Sequence, residues 1–125
     1  MSDDSGYIEY VLELLAPLGP VRARKMFGGY GLYHDALMFA LVAEQQLFLK
    51  IDEHTEAQFA AAGSAPFVYQ SATKTVAMRY WSAPEAALDS PNEMLPWAQL
   101  AFSAARRALI AKSNRPTRKP RSNKR

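Results

Sequence analysis

The sequence predicts an α+β domain built on a single antiparallel sheet of about five to six strands, with helices packed mainly on one face. Three observations carry this. Period-2 stretches such as "LMFALVA" and "LFLKI" are joined by the short polar connections "HDA" and "EQQ", the pattern of hairpins rather than of strands separated by crossover helices. Helical periodicity brackets the strands at both ends of the chain. At 125 residues there is room for one domain with one real core.

The elements follow in order. Ile8, Val11, Leu12, Leu15 and Leu18 keep a helical spacing, Asp3 and Asp4 stand where the helix dipole favours anions, and Pro17, Gly19 and Pro20 stop the helix. "VRARKMF" and "GYGLYH" open a meander that "LMFALVA" and "LFLKI" complete. In it Leu37, Phe39 and Leu41 are expected to share one face, as are Leu47, Leu49 and Ile51, with Lys50 turned outward. "DEHTEAQFAAAG" reads as a short helix stopped at Gly63, and "PFVYQ" and "TVAMRYW" as two further strands. "SPNE" opens the last helix: Ser90 caps its free amides, Pro91 suits its first position and Glu93 reaches back as the capping-box partner. Pro96 predicts a kink or a restart soon afterwards.

Residues 1–111 therefore read as one domain and 112–125 as a tail. "SNRPTRKPRSNKR" has no aliphatic residue and is expected to stay disordered, because it buries too little surface to offset its ordering entropy. The formal net charge of +3 is divided unevenly between the two parts. The tail holds seven basic residues, Lys112, Arg115, Arg118, Lys119, Arg121, Lys124 and Arg125, and no acid. Taking those seven from the fifteen lysines and arginines leaves eight against all twelve acids, so the body carries −4. A nucleic-acid contact argued from charge thus rests on the tail, which reads equally as a solubilising terminus and as a weak, sequence-independent arm for phosphate backbones.

Composition excludes several chemistries. With no cysteine there is no disulfide framework, no thiolate nucleophile and no cysteine zinc site. No apolar run is long enough to span a bilayer and no signal peptide opens the chain, so a cytoplasmic protein with no membrane partner is expected. The segment "RKMFGGYGLYH" is the one stretch that looks like a ligand loop. Its order is G-G-x-G and strand follows it, whereas a dinucleotide or Walker loop needs its glycines at other spacings and a helix N-terminus behind them. Gly28 and Gly29 are better explained as a bulge or turn with positive φ, and Gly31 as room for a neighbouring ring or backbone.

His34 and His54, the latter beside Asp52 and Glu53, lack metal-ligand spacing and read as turn and capping residues. Ser, His and Asp are present without a nucleophile elbow. No catalytic residue, metal or cofactor is assigned. The rings Tyr30, Tyr33, Phe39, Phe48, Phe67, Tyr69, Tyr80 and Trp81 read first as core and cross-strand packing. The other reading, a stacking platform for bases, would need exposed rings flanked by cations such as Arg22, Arg24, Lys25 or Arg79.

The ordered series "ARKMFGGYGLY", "MFALV", "LFLKID", Phe59-x3-Gly63-x2-Pro66-Phe67-x-Tyr69, Met78-x-Tyr80 and Pro84 resembles the N-terminal domain of the TfoX/Sxy family over roughly residues 8 to 110. The resemblance implies a small α+β domain with a secretion-chaperone-like sheet in two layers. It also implies a role in competence regulation as a transcriptional coactivator, and no catalytic residues. Members carry a helical C-terminal domain where this chain has its basic tail, so a stand-alone N-terminal domain is expected. The family pattern also has a glycine where this chain has Ala36. The reading that results is a non-enzymatic regulatory or adaptor domain that contacts an unidentified protein partner through its sheet or helices, with auxiliary DNA or RNA contact from the tail. Its rival is a small-molecule-binding domain or enzyme using Met26–Gly31.

Overall fold

Backbone pairing, rather than helix packing, sets the plan of the molecule. The computed structural model describes residues 5–26, 28–70, 73 and 75–114. The strands are β1 (Arg22–Met26), β2 (Gly29–His34), β3 (Leu37–Ala43), β4 (Gln46–Lys50), β5 (Pro66–Gln70) and β6 (Thr75–Ser82). They form one open antiparallel sheet in the order β1-β2-β3-β4-β6-β5. The first four make the expected meander. After β4 the chain leaves through the short helix α2 (Glu56–Ala61) to the far edge, and β6 returns to fill the gap between β4 and β5.

The β2–β3 and β3–β4 connections are two-residue turns in which both residues have positive φ: Asp35 51° and Ala36 66°, then Glu44 54° and Gln45 58°. That is type I′ geometry, whose twist matches a hairpin, here achieved without glycine. Helix α1 (Ser5–Leu15) packs chiefly on α3 and buries Ile8, Val11, Leu14 and Leu15 in the core, while Leu12 and Leu18 are half-buried. Asp3 and Asp4 lie outside the described residues.

Helix α3 (Pro91–Asn114) starts at Pro91 behind the expected Ser90 cap. The Glu93 amide donates to Ser90 Oγ at 3.2 Å and the Met94 amide to the Ser90 carbonyl at 3.0 Å. It does not restart at Pro96 but runs through it. Proline this near a helix start deprives only the exposed first turn of a bond, at Asn92, so the helix tolerates it. Along α3, Met94, Ala98, Ala101 and Ala105 are buried at helical spacing, and alanine lets the helix lie close to the sheet. Phe102 meets Phe39 edge-on at 6.2 Å, and Trp97 meets Phe59 of α2 at 5.0 Å. All three helices thus share one core on one face of the sheet.

Candidate functional site: the open face of the sheet

Register decides which side chains reach the face that carries no helix. The pairs Leu32↔Ala40 and Ala40↔Leu49 put these residues on the helix side together with Leu47 and Trp81. Between Leu32 and Tyr33 the pairing steps from Ala40 to Met38, leaving Phe39 as the extra residue of a bulge. The bulge corrects one expectation. Leu37 and Phe39 do turn toward the helices, but the alternation resets at Ala40, so Leu41 emerges on the opposite face. Leu47, Leu49 and Ile51 share the helix side as the pattern predicts, and Lys50 points the other way.

The open face is hollowed, with a cavity of about 500 Å³ lined mainly by Met26, Met38, Leu41, Phe67, Met78 and Tyr80. The "GGYG" segment is its floor. Gly28 turns the chain with φ 78°, and Gly29–Gly31 is strand, paired with β1 on one side and β3 on the other. A Cβ at Gly29 would run into the carbonyl oxygen of Val42, so the close backbone approach falls there. At Gly31 a Cβ would lie 3.2 Å from the sulfurs of Met26 and Met38, so it is these thioethers, not a ring or backbone, that use the space. The segment offers no helix N-terminus and no cluster of polar groups to a phosphate.

Cations edge the hollow. The Arg24 guanidinium lies 5.7 Å above the Tyr33 ring, and Lys50 Nζ lies 5.0 Å above the Tyr80 ring. Burial, with repulsion from Tyr33 second, pushes the Tyr80 phenol up to about 12, so it stays neutral at physiological pH. Burial also lowers the Lys50 ammonium, with the neighbouring Arg79 charge adding to the effect and Asp52 opposing it. The ring cluster seen in the sequence is therefore split. Tyr30, Phe39 and Trp81 belong with the helix-side core, while Tyr33, Phe48, Phe67 and Tyr80 belong with the open face, where the Phe48 and Phe67 rings meet tilted by 55° at 4.8 Å. The side chain of Tyr69 lies outside the described residues.

Asp52, two residues beyond β4, ties the two layers together. Arg107 of α3 donates to it twice, from Nε at 2.6 Å and from Nη2 at 3.0 Å. These bonds hold the Asp52 carboxyl below the usual range, more strongly than its partial burial raises it. His54 donates its amide to Asp52 Oδ1 at 3.0 Å, and His34 is packed against Phe102 with Nδ1 2.7 Å from the Pro20 carbonyl oxygen. Among the described residues no three histidines, aspartates or glutamates come together as a ligand set. Of the tail cations, Lys112 is exposed in the last turn of α3; Arg115, Arg118, Lys119, Arg121, Lys124 and Arg125 lie outside the described residues. No helix among the described residues is long and apolar enough to cross a membrane.

The sequence assigns no role to Met38 and Met78, and Met26 enters a candidate site only as one end of the rival ligand segment Met26–Gly31. Nothing in the strand patterns marks their side of the sheet as the uncovered one.

Fold and site define a class: a small α+β domain whose helices cover one face of a six-stranded sheet and leave the other apolar, hollow and edged by cations. The chain belongs to the TfoX N-terminal domain family, which it matches over residues 13–105. It is 26% identical over 113 residues to the DNA transformation protein TfoX1 of Aliivibrio fischeri, covering 90% of this chain and 54% of that protein. It is 27% identical over 106 residues to Protein Sxy of Escherichia coli K12, covering 85% of this chain and 49% of that protein. The chain spans about half the length of these curated relatives.

Proposed function

We propose that the chain is a regulatory adaptor domain of the competence type, which works by holding a partner protein on the open face of its sheet and not by catalysis. The observation that carries this is the apolar hollow itself. Soluble domains rarely leave a contiguous apolar depression uncovered on a sheet face unless something docks there. Kinship with a protein named for DNA transformation supports the regulatory setting. The tail from Lys112 to Arg125 would add a weak contact to DNA or RNA backbones that does not depend on sequence. A small molecule would fit the volume, but its lining offers few polar groups to orient one, which favours the protein partner.

The test replaces the chromosomal copy with Met38→Glu, which places a charge in the hollow, and with a chain ending at Asn114. Expression of DNA-uptake genes and transformation frequency are then measured. The Met38→Glu chain, confirmed folded by circular dichroism, should lose regulation, and the shortened chain should retain most of it. A folded Met38→Glu chain that regulates as the original does would overturn the proposal.

A further inference from the structure

The six strands contain five lysines and arginines, Arg22, Arg24, Lys25, Lys50 and Arg79, and no aspartate or glutamate. The twelve acids of the chain all lie on helices, turns and termini. By register Arg22 and Arg24 pair with Tyr33 and Gly31, and Lys50 pairs with Tyr80, which places these three cations on the same open face as the hollow, Lys50 over Tyr80 of its lining and Arg24 two residues from Met26. None of the three forms an ion pair among the described residues. A surface so divided is complementary to an occupant with an apolar stripe and flanking carboxylates.

The kind of occupant follows from the backbone. The interior strands have spent their amides and carbonyls on the ladder, so the face offers an incoming chain no backbone partners. The occupant must satisfy its own backbone, as a helix does. The hollow runs from Met26 on β1 to Phe67 on β5, the two edges of the sheet, a span of roughly 24 Å at the usual strand spacing. About 16 residues of helix cover that distance. Three unbranched, polarisable methionines line it, and such side chains can repack around a helix ridge.

Resting on the adaptor reading above, we infer that the occupant of the open face is an acidic amphipathic helix of a partner protein, laid across the strands with its apolar ridge in the methionine hollow and its carboxylates against Arg22, Arg24 and Lys50. A second copy of this chain fits poorly, because face-to-face pairing would bring the same cations together. Single-stranded nucleic acid is disfavoured because Tyr33 and Tyr80 are half-buried and already lie under their cations, not bare for stacking.

The probes are synthetic helical peptides of about 18 residues with one leucine–phenylalanine stripe and either glutamates or lysines elsewhere, a proline-interrupted form of the acidic one, and a thymidine oligonucleotide. The full chain is titrated with each by fluorescence anisotropy, with methionine methyl groups followed by NMR. The acidic helix should bind at least about tenfold tighter than the basic one and more weakly as salt is raised. It should shift the methyls of Met26, Met38 and Met78 but leave that of the core residue Met94 in place. The double substitution Arg22→Glu, Arg24→Glu touches exposed side chains only and should reverse the preference between the two peptides. Equal binding of both peptides, undiminished binding of the proline-interrupted form, or methyl shifts confined elsewhere would overturn the inference. Oligonucleotide binding at the same methyls, lost in the double variant, would replace it with a nucleic-acid platform. If Met38→Glu abolishes regulation in the cell while no peptide preference appears, the adaptor reading stands and only this occupant is wrong.

Discussion

On the helix side of the sheet Leu32, Ala40, Val42, Leu47 and Leu49 are all at most 2% exposed, and the alanines of α3 bring the helix down onto them. On the other side the same strands present methionines around bare glycine backbone, and among the described side chains there Leu41 and Phe48 are the buried ones, at 9% and 7% exposed. The first face is filled by shape: branched and aromatic groups with defined rotamers meet partners of the same chain. The second is lined by groups that adapt, and among the described residues no helix packs against them. Apolar content alone does not distinguish a core from a docking face; the presence of covalently linked partners does.

The sharpest way to break this comparison is to truncate one residue on each face. Leu49 is fully buried, opposite Trp81 and Ala40, and Leu49→Ala should cost about 3 kcal/mol through lost transfer energy and a cavity that cannot collapse. Met38 is half-buried, and Met38→Ala should cost about 1 kcal/mol or less while weakening whatever docks in the hollow. Urea unfolding of both variants decides the matter. Equal costs would make the open face a second core and remove the argument that it waits for a partner.

The glycines sharpen the same contrast. Gly29→Ala forces a methyl against the fixed carbonyl of Val42 and should destabilise by about 2 kcal/mol. Gly31→Ala meets only the mobile ends of Met26 and Met38, so its cost should stay below about 1 kcal/mol. Thermal melts with the order reversed would mean that the methionines over Gly31 are as rigid as backbone.

Much of this architecture was legible in the sequence, because it depends on local rules. The short polar hairpins, the period of β4 and the Ser90 start of α3 follow from nearest-neighbour chemistry, although the connections are one residue shorter than "HDA" and "EQQ" because His34 and Gln46 join the strands. The family too was legible, from motifs spread along the chain. The face assignment was not. The bulge at Phe39 shifts the alternation by one residue, and nothing local to "LMFALVA" announces it, so the period-2 expectation that Leu41 shares a face with Phe39 fails. The net charge of −4 for the body also concealed its own division, since acids on helices and turns were averaged with a sheet that has none. Charge counted by element rather than by length would have exposed that basic sheet once the strands were drawn.

Where the layers meet, acid should loosen the molecule. The folded value of Asp52 is depressed, chiefly by its hydrogen bonds from Arg107, so its stabilisation is present above the unfolded value of about 4 and lost as pH falls through the lower folded one. Arg107 is 38% exposed and Asp52 21%, so solvent screening limits the effect to about 1 kcal/mol. Asp52→Asn keeps an acceptor for the His54 amide but loses the charge. The variant should be less stable at pH 7 and show a shallower fall in stability between about pH 5 and pH 2. Parallel acid limbs for the two proteins would show that Arg107 does not hold α3 to β4 through charge.

The smallest expected effect lies in the turn that joins β2 to β3, upstream of the bulge that sorts side chains between the faces. Ala36 has φ 66°, where a Cβ is strained by about 1 kcal/mol, whereas Asp35 beside it is of a type that tolerates this region better. Ala36→Gly removes the strain but adds freedom to the unfolded chain, which returns part of the gain. A net stabilisation of about 0.5 kcal/mol should remain, visible as a rise of roughly 2 °C in Tm for a domain of this size. Because both side chains of the turn are exposed, the substitution alters neither face, and peptide binding in the hollow should not change. If Ala36→Gly raised Tm and also changed that binding, the hairpin would be setting the shape of the open face through the bulge, and the two faces could not be treated as independent surfaces of one rigid sheet.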